Sequence, residues 1–142
     1  MDLPDVNVLV HAFRSDLEHH PASRAWLTAA TKGEAPFALS RLVLSALVRI
    51  ATNRRVFRQP STLAETFEFC RKLMDQPNCV LVEPGPRHWA IFQRLCTEAG
   101  IVGPDVTDAW FAALAIEHGC TWITFDRDYA RFDGLEWREP EG

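Results

Sequence analysis

The sequence lacks the features that would place the chain in a membrane or an oxidising compartment. Its 142 residues contain no apolar run as long as a membrane span, and the N-terminal residues lack the basic and apolar regions of a signal peptide. The four cysteines are scattered, with no Cys-x-x-Cys pair and no histidine at zinc-finger spacing. We therefore expect a cytoplasmic protein with free thiols, folded as a single domain over residues 1–142.

An excess of positive charge is also missing. The formal net charge is −4 at pH 7, which disfavours a protein that coats nucleic acid by bulk electrostatics but does not exclude a nuclease. Lysine is scarce, since 13 of the 15 basic residues are arginine. Arg49, Arg54, Arg55 and Arg58 lie close together in sequence, and arginine suits bidentate phosphate recognition. A solvated, arginine-rich helix end is an equally good interpretation.

Strand-like and helix-like patterns alternate along the chain. Strands are predicted to end at residue 5 and to span 37–40, 79–83 and 121–125, with an edge strand at 135–137. Helices are predicted from about residue 7 and over 21–33, 41–53, 62–74, 86–100 and 105–118. Alternation of this kind predicts a parallel sheet covered by helices on both faces, an α/β fold.

Apolar spacing also predicts which helix faces are buried. In the helix over 62–74, the residues predicted to face the core are Leu63, Phe67, Cys70 and Leu73. In the helix over 86–100, they are Trp89, Phe92, Leu95 and Cys96. The polar connector 53–60 has the composition of a flexible arm or a substrate-side loop. The histidines at 11, 19 and 20 are interpreted as surface or packing residues, because no carboxylate or cysteine lies at ligand spacing.

Aspartates gather where predicted strands end and predicted helices begin. Asp5 ends the first strand, Asp105 and Asp108 open the last helix, and Asp126 and Asp128 follow the strand after it. These positions share one edge of a parallel sheet. Convergent carboxylates need a cation, so the pattern favours a divalent metal site. Taken singly, each pair is better explained as a helix cap or a solvated turn.

Three short motifs occur in register over nearly the whole chain, namely 5–10 (DVNVLV), 107–115 (TDAWFAALA) and 124–129 (TFDRDY). In order, spacing and distance from the chain ends they resemble the PIN-domain family, and more narrowly the VapC-type ribonuclease toxins of type II toxin–antitoxin pairs. The resemblance implies a PIN-like three-layer α/β/α fold around a central parallel sheet of four to five strands.

The resemblance also implies the chemistry. It makes Asp5, Asp108 and Asp126 the catalytic and metal-binding carboxylates, with Asp105 and Asp128 as supporting acids. Such enzymes use Mg²⁺ or Mn²⁺ to activate water for in-line attack on an RNA phosphodiester, leaving a 5′-phosphate and a 3′-hydroxyl.

Two further groups of residues complete the predicted site. Asn7 and Thr124 are supporting residues; Asn7 either caps the first helix or orients a metal-bound water, and capping is preferred. Candidate RNA contacts are Arg54, Arg55 and Arg58. The resemblance further implies a homodimer and a VapB-type antitoxin whose segment lies in an apolar groove.

One position departs from the family pattern. Ala46 matches the usual glutamate, and no acid lies within several residues of it. The departure is compatible with a one-metal site, a site completed by Asp105 or Asp128, or an inactive domain. Asp105 is the best-placed substitute, because it lies three residues before Asp108 on the same helix face.

The missing acid motivates an alternative function, a catalytically degenerate PIN domain that binds RNA or a partner protein. A receiver-type domain with an acidic phosphorylation pocket is disfavoured. Such a pocket needs adjacent acids on the first strand and a downstream lysine, whereas Lys32 and Lys72 fall in helical or loop segments.

Overall fold

The structure, a computed structural model, describes residues 1–141 as short strands alternating with helices. The strands are β1 (Asp2–Pro4), β2 (Phe37–Leu39), β3 (Cys79–Leu81), β4 (Thr121–Ile123) and β5 (Trp137–Arg138). The α-helices are α1 (Val6–Phe13), α2 (His20–Lys32), α3 (Arg41–Ala51), α4 (Leu63–Met74), α5 (His88–Ala99) and α6 (Val106–Glu117). Short 3₁₀ turns at Gly103–Asp105 and Arg127–Arg131 precede α6 and follow β4. The predicted order of elements is confirmed.

Every strand pairing in the described residues is parallel. β1 pairs with β4 and β4 with β5, whereas β2 and β3 form a second ladder. β1 and β2 lie side by side, which places both ladders in one central layer. The predicted α/β/α arrangement with four to five parallel strands is therefore confirmed, and β5 is the expected edge strand.

Helix α6 is rich in alanine, and all four alanines of the helix are fully buried: Ala109, Ala112, Ala113 and Ala115. Their small side chains let the helix lie close to its neighbours at the density of a protein core. Phe111 of the same helix stacks on the fully buried Trp122 of β4, with 5.5 Å between ring centroids. This packing fixes the start of α6 relative to the end of β4.

Helix α4 buries a different face from the predicted one. Cys70 and Leu73 are buried as expected, but Leu63 and Phe67 are each 58% exposed. The residue that is fully buried instead is Thr66, which satisfies its hydroxyl by donating to the carbonyl of Thr62 at 2.8 Å. The prediction for Leu63 and Phe67 was wrong because a self-satisfied threonine is as compatible with the core as an apolar residue.

Helix α5 shows the same kind of error. Trp89, predicted to face inward, is 69% exposed, whereas its neighbour His88 is buried. The ring nitrogen Nε2 of His88 lies 2.9 Å from the carbonyl oxygen of Trp110. Leu95, nearer the end of the helix, is buried as predicted. The error is therefore confined to the first turn, where His88 faces the core in place of Trp89.

The predicted state of the cysteines is confirmed. All four thiols are free, with Cys70 and Cys120 buried and Cys79 and Cys96 partly buried. Among residues 1–141, no helix combines the length and the apolar character needed to cross a membrane.

Candidate active site

Asp5 lies at the junction of β1 and α1, where it caps the helix. Its Oδ1 accepts a hydrogen bond from the backbone N–H of Val6 at 2.6 Å. Its Oδ2 accepts from the Thr124 hydroxyl at 2.8 Å and, more weakly, from the Asn7 amide at 3.4 Å. The residue is only 7% exposed. The first predicted site carboxylate is therefore buried and held in a fixed orientation.

The surroundings of Asp5 oppose its negative charge. Burial is the largest cause and raises the pKa of Asp5 to about 6, against an ordinary value of 3.8. Hydrogen bonds from Thr124 and Val6 act in the opposite direction, and the charges of Asp108 and Asp126 add to the rise. Because their charges act on Asp5, these two aspartates lie near it in the folded chain.

Thr124 and Asn7 join the end of β4 to the start of α1. The fully buried Thr124 hydroxyl donates to Asp5 and accepts from the Asn7 amide at 3.1 Å and from the Asp126 backbone N–H at 3.0 Å. The side-chain oxygen of Asn7 accepts from the Phe125 backbone N–H at 3.3 Å. The preferred capping role of Asn7 was wrong, because Asp5 occupies the cap two residues earlier. The structure does bring both predicted supporting residues to Asp5.

Asp126 and Asp128 shape the turn that follows β4. Oδ1 of Asp126 accepts from the backbone N–H of Asp128 at 2.9 Å, which is the geometry of the predicted turn. Asp128 itself is exposed. The turn directs Asp126 toward the site through its backbone bond to Thr124, while the supporting role of Asp128 stays a prediction.

Asp108 lies in the first turn of α6 and has two partners. Its Oδ1 accepts from the Tyr129 hydroxyl at 3.3 Å, and its Oδ2 accepts from Arg131 Nη2 at 3.1 Å. Burial raises the pKa of Asp108, and the charges of Asp126 and Asp105 add to the rise, whereas Tyr129 and Arg131 oppose it. Asp108 is therefore a second site carboxylate whose charge is only partly compensated.

Tyr129 and Arg131 were not identified from the sequence. Tyr129 is buried, and burial together with the charges of Asp5 and Asp108 raises its pKa, so its hydroxyl acts as a donor at neutral pH. Arg131 also approaches Asp105, with 3.7 Å between Nη1 and Oδ2. One available signal was that Tyr129 is the only tyrosine of the chain and ends the third motif.

Asp105 does not lie on α6 as predicted but in the 3₁₀ turn before it. Asp105 occupies the N-cap position of α6, as the plainer interpretation predicted, but its side chain makes no capping hydrogen bond. The carboxylate instead lies near Arg131, which joins it to Asp108. Its predicted role in replacing the acid missing at Ala46 stays a prediction.

The carboxylates match the oxygen donors that Mg²⁺ and Mn²⁺ prefer. Within residues 1–141, no three carboxylate, imidazole or thiol groups are assembled as a ready metal-binding cluster. Asp108 bonds to Tyr129 and Arg131. The raised pKa values of Asp5 and Asp108 nevertheless show carboxylates that would gain from a nearby cation. The donor set therefore fits a hard divalent ion.

The connector between α3 and α4 is fastened, which corrects its interpretation as a flexible arm. The Arg14 guanidinium lies 3.9 Å from the Phe57 ring centroid and donates to the Ser61 hydroxyl at 3.0 Å. The backbone N–H groups of Val56 and Phe57 both donate to the carbonyl of Asn53 at 3.0 Å. These contacts hold the connector against the C-terminal end of α1.

The fastened connector exposes the predicted RNA contacts Arg54, Arg55 and Arg58, and none of them forms an ion pair within residues 1–141. Asp5 lies at the opposite end of α1. An eight-residue helix is on the order of 12 Å long, so the connector is fastened about that far along the helix from Asp5, and the role of these arginines in RNA binding stays a prediction.

Comparisons with known proteins agree with this architecture. A family model described as the PIN domain matches residues 3–135. The chain is similar to VapC ribonuclease Mb2897 of Mycobacterium bovis, with 39% identity over 136 residues that cover 96% of this chain and 92% of that protein. It is also similar to ribonuclease VapC31 of Mycobacterium tuberculosis, with 39% identity over 140 residues and 99% of each chain covered.

Solved structures share the fold at low sequence identity. VapBC2 from Rickettsia felis, bound to a DNA fragment from its promoter, matches with a TM-score of 0.69 at 17% identity, covering 96% of each chain. VapC20 of Mycobacterium tuberculosis, a sarcin–ricin loop cleaving toxin, matches with a TM-score of 0.65 at 13% identity, covering 95% of this chain and 98% of that one. The chain therefore belongs to the PIN-domain family and, within it, to the VapC group.

Proposed function

We propose that this chain is a metal-dependent endoribonuclease that acts as the toxin of a toxin–antitoxin pair. The observation that carries the proposal is the convergence of Asp5, Asp108 and Asp126 from three separate chain segments, with charges that act on one another. Perturbed carboxylates of this kind are concentrated at functional sites. The relatives named as VapC ribonucleases support the choice of reaction.

The three carboxylates would hold the metal. A bound Mg²⁺ or Mn²⁺ would supply charge stabilisation at the phosphodiester and would ease deprotonation of the attacking water. Thr124 and Asn7 orient the Asp5 carboxylate, and the buried Tyr129 hydroxyl orients Asp108. We assign Asp105 and Asp128 supporting roles at the rim, with Asp105 compensating for the absent acid at Ala46.

Arg131 would contribute directly to substrate binding. Its guanidinium lies beside Asp108 and Asp105, and its side chain is 28% exposed, so some of its donors face the solvent. A guanidinium in this place can donate to a phosphate oxygen while it limits repulsion between the carboxylates and the RNA backbone. The expected products are a 5′-phosphate and a 3′-hydroxyl.

We propose unpaired RNA as the substrate, because single strands and loops can enter a metal site while a paired helix shields its backbone. The connector that carries the exposed Arg54, Arg55 and Arg58 is fastened at the end of α1 opposite Asp5, on the order of 12 Å away along the helix. At that distance they would bind phosphates that flank the scissile one, and they would add affinity that is sensitive to salt.

We further propose a homodimer and a VapB-type antitoxin as partners of a single-domain, cytoplasmic protein. Structures of VapBC complexes share its fold. The exposed Phe67 borders an apolar groove between α3 and α4, lined also by Leu44, Val48 and Met74. A groove of this kind fits an apolar segment of an antitoxin.

The second candidate is a degenerate binding module. Two observations favour it, the alanine at position 46 and the contact of Arg131 with Asp108, which already gives that carboxylate a cation. Such a protein would bind RNA or a partner without metal-dependent turnover.

Cleavage of total cellular RNA by the purified, antitoxin-free chain distinguishes these functions. The reaction is run with Mg²⁺ or Mn²⁺, with chelator, and with Asp108→Asn beside the exposed control Asp133→Asn. We expect cleavage that requires metal and falls by at least about 100-fold in Asp108→Asn only, in line with the loss of a metal-ion contribution of several kcal/mol. Absence of metal-dependent cleavage from folded protein across RNA classes would instead overturn the nuclease function and favour the binding module.

A further inference from the structure

Three aromatic rings cluster at the edge of the carboxylate site. His19 stacks on Phe125 with 4.3 Å between centroids and an interplanar angle of 19°. His11 lies 5.2 Å from His19 and 5.8 Å from Phe125, tilted against both. Phe125 directly precedes Asp126 in the chain, and its backbone N–H is bonded to Asn7, which in turn reaches Asp5. The ring cluster is thus attached to the same backbone that positions the carboxylates.

The His19 ring is held in place although much of it is accessible. Its backbone N–H donates to Nδ1 of His11 at 3.1 Å, and Nδ1 of His20 lies 2.7 Å from the His11 carbonyl oxygen. Burial and the neighbouring His19 lower the pKa of His11, which is consistent with a neutral ring that accepts a hydrogen bond. The His19 side chain nevertheless remains 45% exposed.

A preordered, half-exposed ring stack next to a phosphodiester site fits one class of ligand well. Unpaired nucleobases stack on aromatic and imidazole rings regardless of sequence, because every base has a π-face. One face of His19 is covered by Phe125, and the exposed part can extend the stack outward. A ring stack also suits a base better than the phosphate backbone, which the nearby carboxylates repel.

We propose that His19, supported by Phe125, is a nucleobase-binding subsite that stacks an unpaired base beside the scissile phosphate. The inference rests on the proposed ribonuclease function and adds a positioning element to it. His19 fixes the path of the RNA strand from one side of the carboxylates, while the arginine connector binds it at the far end of α1. The opposing explanation is that the stack only packs the turn between α1 and α2.

The test measures binding of a short single-stranded RNA that carries one 2-aminopurine, with chelator present so that no cleavage occurs. His19→Asn removes the ring, and because His19 occupies the N-cap of α2 without a capping bond, asparagine supports the fold there. His19→Tyr keeps a ring. The matched control is Trp89→Ala, which removes an exposed ring that lies outside the cluster.

We expect His19→Asn to weaken binding by roughly 5- to 150-fold, the range for loss of one base–aromatic stack, and to lose the 2-aminopurine quenching of the wild type. His19→Tyr should bind within about threefold of wild type, and Trp89→Ala should leave quenching unchanged. In cleavage with Mg²⁺, His19→Asn should raise KM with little change in kcat.

Wild-type binding and quenching in His19→Asn would overturn the subsite and leave the stack a packing feature, whatever the cleavage assay shows. Loss of quenching in both His19→Asn and His19→Tyr, together with a lower unfolding temperature of both variants, would also overturn the subsite, because it would show that His19 acts through the fold. Failure of the ribonuclease proposal has a separate signature, which is absence of metal-dependent cleavage from a wild-type chain whose binding is measured independently.

Discussion

Asp5 and Glu117 are both buried carboxylates, yet their surroundings differ in how they treat a negative charge. The Glu117 side chain is 5% exposed and accepts backbone N–H bonds from Gly85 at 2.7 Å and Arg87 at 2.9 Å. Burial alone would raise the pKa of Glu117, but these two bonds outweigh it and lower the pKa below its ordinary value. Asp5 also accepts two short bonds, from Val6 at 2.6 Å and Thr124 at 2.8 Å. Its burial outweighs these bonds, the charges of Asp108 and Asp126 add to the effect, and the pKa of Asp5 rises to about 6.

The difference separates a carboxylate whose charge the fold stabilises from one whose charge the fold opposes. Glu117 joins the end of α6 to the loop that leads into α5, and each of its two carboxylate oxygens accepts a backbone hydrogen bond from that loop. Burial and the neighbouring aspartates make the charged form of Asp5 unfavourable. Carboxylates perturbed in this way are concentrated at functional sites, where a ligand can compensate the charge. The fold therefore stabilises the charge of Glu117 and leaves that of Asp5 uncompensated, as the proposed cation-binding role requires.

The largest expected effect is the loss of stability in Glu117→Gln. The amide presents a donor where two backbone N–H groups need acceptors, so we expect about 3 kcal/mol of destabilisation from weakened charge-assisted bonds. Urea unfolding at pH 7 measures it, with the exposed Glu136→Gln as the matched control. A change below about 0.5 kcal/mol, as for ordinary surface substitutions, would contradict a structural role for Glu117.

Asp5→Asn should increase the stability of the protein, whereas Glu117→Gln decreases it. The folded pKa of about 6 lies above the ordinary 3.8, so the contribution of Asp5 to stability is present below pH 3.8 and is lost as the pH rises through 6. A rise of about two pKa units corresponds to about 3 kcal/mol. Asparagine stays neutral and can still cap α1, and after allowance for altered hydrogen bonds we expect a gain of about 2 kcal/mol at pH 8 in chelator.

The measurement is urea unfolding of wild type and Asp5→Asn between pH 4 and pH 8. The two curves should converge toward pH 4, separate as the pH rises from about 4 to 6, and keep a constant separation above pH 6. The pKa of Glu117 is lowered in the folded protein, so its contribution to stability is present above its ordinary pKa and is lost on acidification through the lowered pKa. Glu117 is present in both proteins and therefore does not produce this separation. Equal pH dependence in both proteins would show that Asp5 is not the strained group.

Mg²⁺ should stabilise the wild type more at pH 8 than at pH 5, because at pH 5 a proton competes for Asp5. At about ten times its Kd, a ligand that binds only the folded state adds about 1.4 kcal/mol. Thermal unfolding with and without Mg²⁺ measures this gain, which Asp5→Asn should lack and Asp133→Asn should retain. Undiminished stabilisation of Asp5→Asn would exclude Asp5 as a ligand.

The smallest effect is expected for Tyr129→Phe. The substitution removes one donor to Asp108 and keeps the buried ring, so we expect a loss of about 1 kcal/mol, the net value of one hydrogen bond. The pKa of Asp108 should rise further, because the Tyr129 bond opposes the effect of burial. NMR titration of the Asp108 carboxyl measures that rise, and a fall in its pKa would contradict the assigned contact.

Alternating patterns in the sequence determined most of the fold. The strands and helices follow the predicted order because period-two and period-3.6 patterns reflect burial on one face. Helix faces were less well predicted, since Thr66 and His88 are polar residues buried with their own hydrogen-bond partners. A hydrophobicity pattern does not show whether a polar side chain will find a hydrogen-bond partner inside the core.

The sequence alone also determined which acids to consider, because Asp5, Asp108 and Asp126 follow strands or open a helix at one sheet edge. Only the tertiary structure decided how their charges are compensated. Tyr129 and Arg131 reach Asp108 from a 3₁₀ turn more than 20 residues away in the chain, and His19 meets Phe125 across the fold. Contacts of this kind depend on the packing of separate elements, which no local pattern encodes, whereas the periodicity that forms each element is written in neighbouring residues.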